Sequence, residues 1–167
     1  MIIKRIMYRI LIKRRIRKDS SFREYLNKLK ESLKINEEIL GVEMNIESLV
    51  IVTKLVSDNS VYIMLNSPKY IVSKPRITGV KENYDKRDIK IGDIQTEDNN
   101  IGNGSILMKY FIKVAKEMKF SNIYGDISIV DKDHWDRLIH YYKKFGFKVS
   151  FNKEYTRGEI QLNLLSN

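Results

Sequence analysis

Residues 99–105 read Asn-Asn-Ile-Gly-Asn-Gly-Ser, and a helical pattern of apolar residues begins at Ile106. Gly102 and Gly104 permit backbone conformations, and a closeness of approach, that a Cβ would block. Successive N–H groups at a helix start form a concave cluster of donors, to which the helix dipole adds positive potential. Such a cluster suits a pyrophosphate. A Gly-x-Gly step before a helix is by itself also the composition of a flexible connection. A Walker loop would need Gly-Lys-Ser/Thr, whereas Gly104 is followed directly by Ser105. A dinucleotide fingerprint would need a third glycine near Lys109, and none stands there.

A second block, residues 138–147, reads Leu-Ile-His-Tyr-Tyr-Lys-Lys-Phe-Gly-Phe. A tyrosine in such a helix packs its ring on the core. Where it faces a site, its phenol is protonated at neutral pH and can serve as an acid. His134 and His140 lack paired ligand spacing, and the chain has no cysteine. A solvated or packed role is therefore expected for both, rather than metal binding.

The elements that must hold these blocks can be read from periodicity. Phe22, Leu26, Leu29 and Leu33 at helical spacing, with Ser21 and Glu24 in the form of a capping box, predict a helix over residues 21–34. Two β-rich runs, 49–56 and 61–65, flank Ser57-Asp58-Asn59-Ser60 and predict a hairpin. Tyr70-Ile71-Val72, between Pro68 and Pro75, has the form of an edge strand. Ile89, Ile91 and Ile94 predict a strand with an irregularity at Gly92. A helix through Tyr110, Phe111, Val114 and Met118, a strand over 123–129, and a helix through Trp135, Leu138 and Tyr142 ending at Gly146 follow. Strands at 147–151 and 160–164 close the chain. Alternating strands and helices across the second half predict an α/β domain with parallel pairing at its centre. In residues 1–17, Ile3, Ile6, Met7 and Ile10 suit a helical stripe, and Tyr8, Ile10 and Ile12 alternate less cleanly as a strand.

The bulk numbers narrow the partners. A chain of 167 residues supports one domain, 1–167, with a real core. The 31 Lys and Arg against 21 Asp and Glu give a net charge of +10, which favours anionic partners. Lys4, Arg5, Arg9, Lys13, Arg14, Arg15, Arg17 and Lys18 all precede the first acid, Asp19. No stretch approaches the roughly twenty uncharged apolar residues of a membrane span. The absence of cysteine excludes disulfides, thiolate metal sites and a cysteine nucleophile, and it fits a cytoplasmic setting.

Taken together, the two blocks resemble the GNAT superfamily of acyl-CoA-dependent N-acetyltransferases. The family's Arg/Gln-x-x-Gly-x-Gly/Ala motif matches residues 99–104, and its Leu-Tyr-x-Lys-x-Gly-Phe helix end matches residues 141–147. The resemblance spans residues 88–151, a cofactor-binding core behind a basic segment, 1–18. Asn99 stands where the family has arginine or glutamine, Thr96 where it commonly has proline, and Trp135 where many members have asparagine.

The resemblance implies a mixed α/β sheet with helices on both faces, its strands splayed at a cofactor cleft. It implies acetyl-CoA as co-substrate, bound by Ile94, Gln95, Thr96, Asn99, Ile101, Gly102, Asn103, Gly104 and Ser105. Tyr142 would protonate the departing thiolate, an N–H near 94–96 would stabilise the oxyanion, and Asp88, Asp93 or a water would take the amine's proton. The acceptor would be a primary amine on a small molecule or a protein, and a homodimer is compatible with the pattern. The competing class is a basic nucleic-acid-binding or RNA-associated module working through residues 1–18, a segment that would otherwise contact anionic lipid or form a solvated face.

Overall fold

A computed structural model describes residues 2–70, 72–82, 87–96 and 101–165. Two helices lead the chain, α1 (Ile2–Lys18) and α2 (Ser20–Ser32). An antiparallel run follows: β1 (Glu37–Met44), β2 (Leu49–Val56), β3 (Ser60–Asn66), β4 (Arg76–Val80) and β5 (Asp88–Gln95). Then come α3 (Asn103–Glu117), β6 (Asn122–Ile127), a 3-10 helix at Ile129–His134, α4 (Trp135–Lys144), β7 (Lys148–Phe151) and β8 (Gly158–Asn163). The eight strands form one sheet in the order β1-β2-β3-β4-β5-β6-β8-β7. Among the described residues only β5 and β6 pair in parallel, as the α3 crossover between them requires.

Side-chain alternation along β2 distributes the helices. Val50 and Val52 belong to the larger cluster with Leu107, Phe111 and Val114 of α3. Leu49 and Ile51 point the other way, into a smaller cluster with Ile12 of α1 and Phe22 and Leu29 of α2. Helices therefore cover both faces, as the resemblance implied. A Cβ on Gly79 of β4 would come within 2.6 Å of Phe111 and Ile89, so glycine there lets α3 lie directly on the sheet.

The hairpin of β2 and β3 stands as read from its turn residues. The irregularity at Gly92 is a bulge: Thr78 pairs Asp93 and Gly79 pairs Ile91, leaving Gly92 without a partner on β4. Residues 2–18 settle as a helix. Other expectations shift. Strand β1 carries no clean alternation and was not anticipated. Tyr70 and Val72 lie in no strand; instead Tyr70 is buried, with its hydroxyl near Asn45 and Asn103. Strand β6 stops at Ile127, and Ile129 opens the 3-10 helix. The cap of α2 is Asp19 rather than Ser21. Its carboxylate accepts from the Phe22 N–H at 2.9 Å and from the Ser21 hydroxyl at 2.7 Å.

Candidate active site

Strand β5 has two different edges. Along one it keeps β4 to its end, with Ile94 opposite Ile77 and Gln95 opposite Arg76. Along the other it pairs β6 only from Asp88–Asn122 to Ile91–Gly125. Beyond Ile91 the strands part, because β6 follows β8 through Asp126 and Ile127. The backbone of residues 92–96 thus presents unpaired polar groups to an opening. That opening is a cleft of about 1020 Å³ whose walls include Gly92 and Ile94 of β5, Thr96 just past it, Ile127 of β6 and Tyr142 of α4.

The start of α3 forms another wall. Gly102 caps it at φ 95°, a left-handed conformation in which a side chain would be strained, and among the described residues no side chain caps the helix. The Ile106 N–H closes a bond to the Gly102 carbonyl at 3.1 Å. The N–H groups before it have no helical acceptor to reach. Nothing lies within 4 Å of a Cβ built on Gly102, and one on Gly104 would meet Tyr141 and Thr96 only at 3.5 and 3.8 Å. The space over both glycines is open enough for an anion to approach the backbone.

This loop is held from behind. The Asn103 side chain is buried, accepting from the Asn45 amide at 2.9 Å and donating to the Tyr70 hydroxyl at 2.7 Å. The Ile101 carbonyl accepts from the Ile46 N–H at 3.0 Å. In front, the Tyr141 hydroxyl donates to the Gly104 carbonyl at 2.7 Å. Burial, and then the neighbouring Tyr142, push the Tyr141 phenol well above its ordinary range, so it stays protonated and keeps this donor role. Lys144 adds positive charge, donating to the Ser105 hydroxyl at 3.2 Å.

The structure brings most of the residues singled out from sequence to one place. Ile94, Gln95, Thr96, Gly102, Asn103, Gly104, Ser105 and Tyr142 all line the cleft, as does Asp93. Asn103 lines it with an inward-turned amide, which leaves its backbone N–H as the group to offer. Ile101 is buried beside the cleft rather than in its wall. Asn99 lies outside the described residues. Asp88 sits at the far end of β5, accepting from the Asn122 amide at 2.8 Å, and is not among the lining residues. Of the two carboxylates that line the cleft among the described residues, Asp126 is held below the usual carboxylate range by hydrogen bonds from Arg157, with Lys90 adding to the effect. Asp93 faces a neutral group, the Gln95 amide, at 2.6 Å.

Tyr142 is buried, its ring edge-on to Tyr141 and Phe147. Trp135 is buried too, donating to the Ser128 carbonyl at 2.9 Å and packing on Phe151. His134 is exposed at the cleft wall and His140 is exposed away from it. Among the described residues no group of three or more metal-ligating side chains occurs. Sequence reasoning passed over Arg137, Tyr141 and Lys144 of the same wall. Their signal was the helical period itself: counting back four from Tyr141 reaches Arg137 and counting on three reaches Lys144, one stripe of α4.

Comparison with known proteins now has a geometry to meet. No family model matches the chain. YocC of Bacillus subtilis (strain 168), an uncharacterized protein, is 31% identical over 132 residues, which is 78% of this chain and 79% of YocC. The chain belongs to the family of YocC. Among solved structures it is similar to a protein of Klebsiella pneumoniae assigned as an acyl-CoA N-acyltransferase, with a TM-score of 0.51, 12% identity, and 84% and 85% of the two chains covered. It is also similar to a protein of Desulfovibrio desulfuricans assigned to the GNAT acetyltransferases, with a TM-score of 0.52, 10% identity, and 64% and 69% covered. At these identities the likeness is one of fold, and the fold of this YocC relative is the GNAT fold.

Proposed function

We propose that the protein is an acyl-CoA-dependent N-acetyltransferase that passes an acetyl group from acetyl-CoA to a primary amine on a small molecule or a protein. One observation carries the reading: β5 leaves β6 where the uncapped start of α3 opens, and Tyr142 stands in the same cleft. The N–H groups of Asn103, Gly104 and Ser105 would hold the pyrophosphate, and the free edge of residues 92–96 would hydrogen-bond the pantetheine arm. Acetyl-CoA supplies an activated acyl carbon and a sulfur leaving group.

The chain's own groups supply the rest. Holding amine and thioester together in the cleft contributes through proximity. An N–H on the free β5 edge stabilises negative charge on the acyl oxygen. Tyr142 donates its phenolic proton to the departing sulfur. The amine's proton leaves through Asp93 or a water beside it, since Asp88 is at the wrong end of the strand. Tyr141, tied to the Gly104 carbonyl, positions the loop and is not the acid.

Isothermal titration with acetyl-CoA tests the first half of this reading, and the absence of saturable binding at millimolar cofactor overturns it. Tyr142→Phe tests the second half. With an acceptor found from an amine panel, turnover should fall by about a hundredfold while acetyl-CoA affinity stays nearly constant. Unchanged turnover, with the chemical step rate-limiting, removes Tyr142 from the mechanism.

A further inference from the structure

Helix α1 has two apolar faces, and the fold uses one. Tyr8, Ile12 and Ile16, four residues apart, pack into the smaller cluster against β1, β2 and α2. The Tyr8 hydroxyl secures that face, donating to Glu43 at 3.0 Å and accepting from the Met44 N–H at 3.2 Å. On the opposite side Ile6, Met7, Ile10 and Leu11 are 53%, 65%, 46% and 50% exposed. They form two i,i+4 pairs, a contiguous apolar stripe that the molecule leaves uncovered. Arg9, Lys13, Arg14, Arg17 and Lys18 are exposed beside and beyond the stripe. The first acid, Asp19, turns its carboxylate into the cap of α2.

We propose that this outer face of α1 docks the protein on an anionic membrane surface, lying flat in the headgroup layer with Ile6, Met7, Ile10 and Leu11 inserted. Charge complementarity chooses the occupant. A helix whose exposed half is apolar over two turns and cationic over the next two matches the boundary between acyl chains and anionic headgroups. A nucleic acid would engage the cations and leave four large apolar side chains in water. A second copy would bring two such cationic rims together with no acid on α1 to offset them. The inference stands apart from the acetyl-CoA reading, because it involves neither the cleft nor α3.

The test is flotation of the full-length protein with vesicles of phosphatidylglycerol mixed with phosphatidylcholine, beside vesicles of phosphatidylcholine alone. Binding to the anionic vesicles is expected, with little to the neutral ones. The double variant Ile10→Ser, Leu11→Ser should weaken it by about tenfold or more. Arg14→Gln with Arg17→Gln should weaken it by about fivefold per cation removed. All four positions are exposed, so thermal melts of the variants should match the parent, and acetyl-CoA titrations should be unchanged. The proposal is overturned by vesicle binding that ignores the serine variants, by no preference for anionic vesicles, or by no vesicle binding at all. Polyuridylate binding without vesicle binding, or a dimer that the serine variants dissociate, equally overturns it and reassigns the face.

Discussion

Helices α2 and α3 begin in opposite ways. At the first, Asp19 supplies a carboxylate that satisfies the Phe22 N–H, so the helix start is complete within its own sequence. At the second, Gly102 supplies no side chain, and the donors that follow face a cleft between parted strands. A satisfied helix start is structural. One that is uncapped and held from behind by Asn45, Tyr70 and Ile46 is where the proposed reading puts the phosphates.

Moving a carboxylate between these two starts is the sharpest way to break the comparison. Gly104→Asp places a negative charge where the phosphates would sit, and acetyl-CoA affinity should drop about a hundredfold or more from like-charge repulsion. The same change replaces a helical glycine and puts an acid at the positive end of the dipole, with ordinary room for its Cβ. Melting temperature should therefore hold or rise while titration shows affinity lost. Equal affinity in parent and variant would mean that the phosphates bind elsewhere.

A turn further along, α3 does meet a carboxylate, and there it is buried. Glu43 of β1 accepts from Lys109 at 2.6 Å, Tyr110 at 2.9 Å and Tyr8 at 3.0 Å, joining α1 to α3 around the sheet edge. Burial works to raise its pKa, but Lys109 above all, with the two phenols, outweighs burial and holds the carboxyl below its ordinary value. A depressed folded pKa contributes stability above the unfolded value, and this contribution is lost as pH falls through the folded one. Glu43→Gln should cost about 1–3 kcal/mol in urea unfolding at pH 7. The gap between variant and parent should narrow as pH falls below the ordinary glutamate range and through the depressed pKa of the folded carboxyl. A gap independent of pH would show that packing, not charge, holds the junction.

The left-handed cap sets a smaller effect. Gly102→Ala forces a Cβ into the φ 95° conformation and should destabilise the protein by about 1–2 kcal/mol, read from the urea midpoint, although no neighbour lies in the way. Asp19→Ala is the mildest change. It should lower the melting temperature by on the order of 2 °C and leave acetyl-CoA affinity untouched. A change in that affinity would end the distinction between the two helix starts.

Much of this was legible from residue order because it depends on neighbours along the chain. Ser57 to Ser60 between β-rich runs specified a hairpin, Gly92 a bulge, and Gly102 and Gly104 before an apolar helical stripe a glycine turn opening a helix. Tyr142 was singled out by the resemblance of residues 141–147 to the GNAT helix end. The cap of α2 was misplaced by two residues, since Asp19 and Ser21 are both good caps and only the backbone path chooses between them. Strand β1 escaped notice because Glu37, Glu38 and Glu43 interrupt its apolar residues at an edge of the sheet.

What no local pattern could supply are pairings across long separations. Only the fold turns the Asn103 amide inward to Asn45, 58 positions away, leaving its backbone N–H to the cleft. Glu43 reads as a surface acid until Lys109 and Tyr110, 66 and 67 positions away, close on it. The resemblance favours Asp88 over Asp93 as base, and only the point at which β5 leaves β6 puts Asp93 in the cleft and Asp88 outside it. Residue order decided which segments form helices, strands and turns, because backbone sterics and side-chain period act over a few residues. The tertiary structure decided which donors, acids and apolar faces remain unsatisfied, because that depends on what the rest of the chain covers.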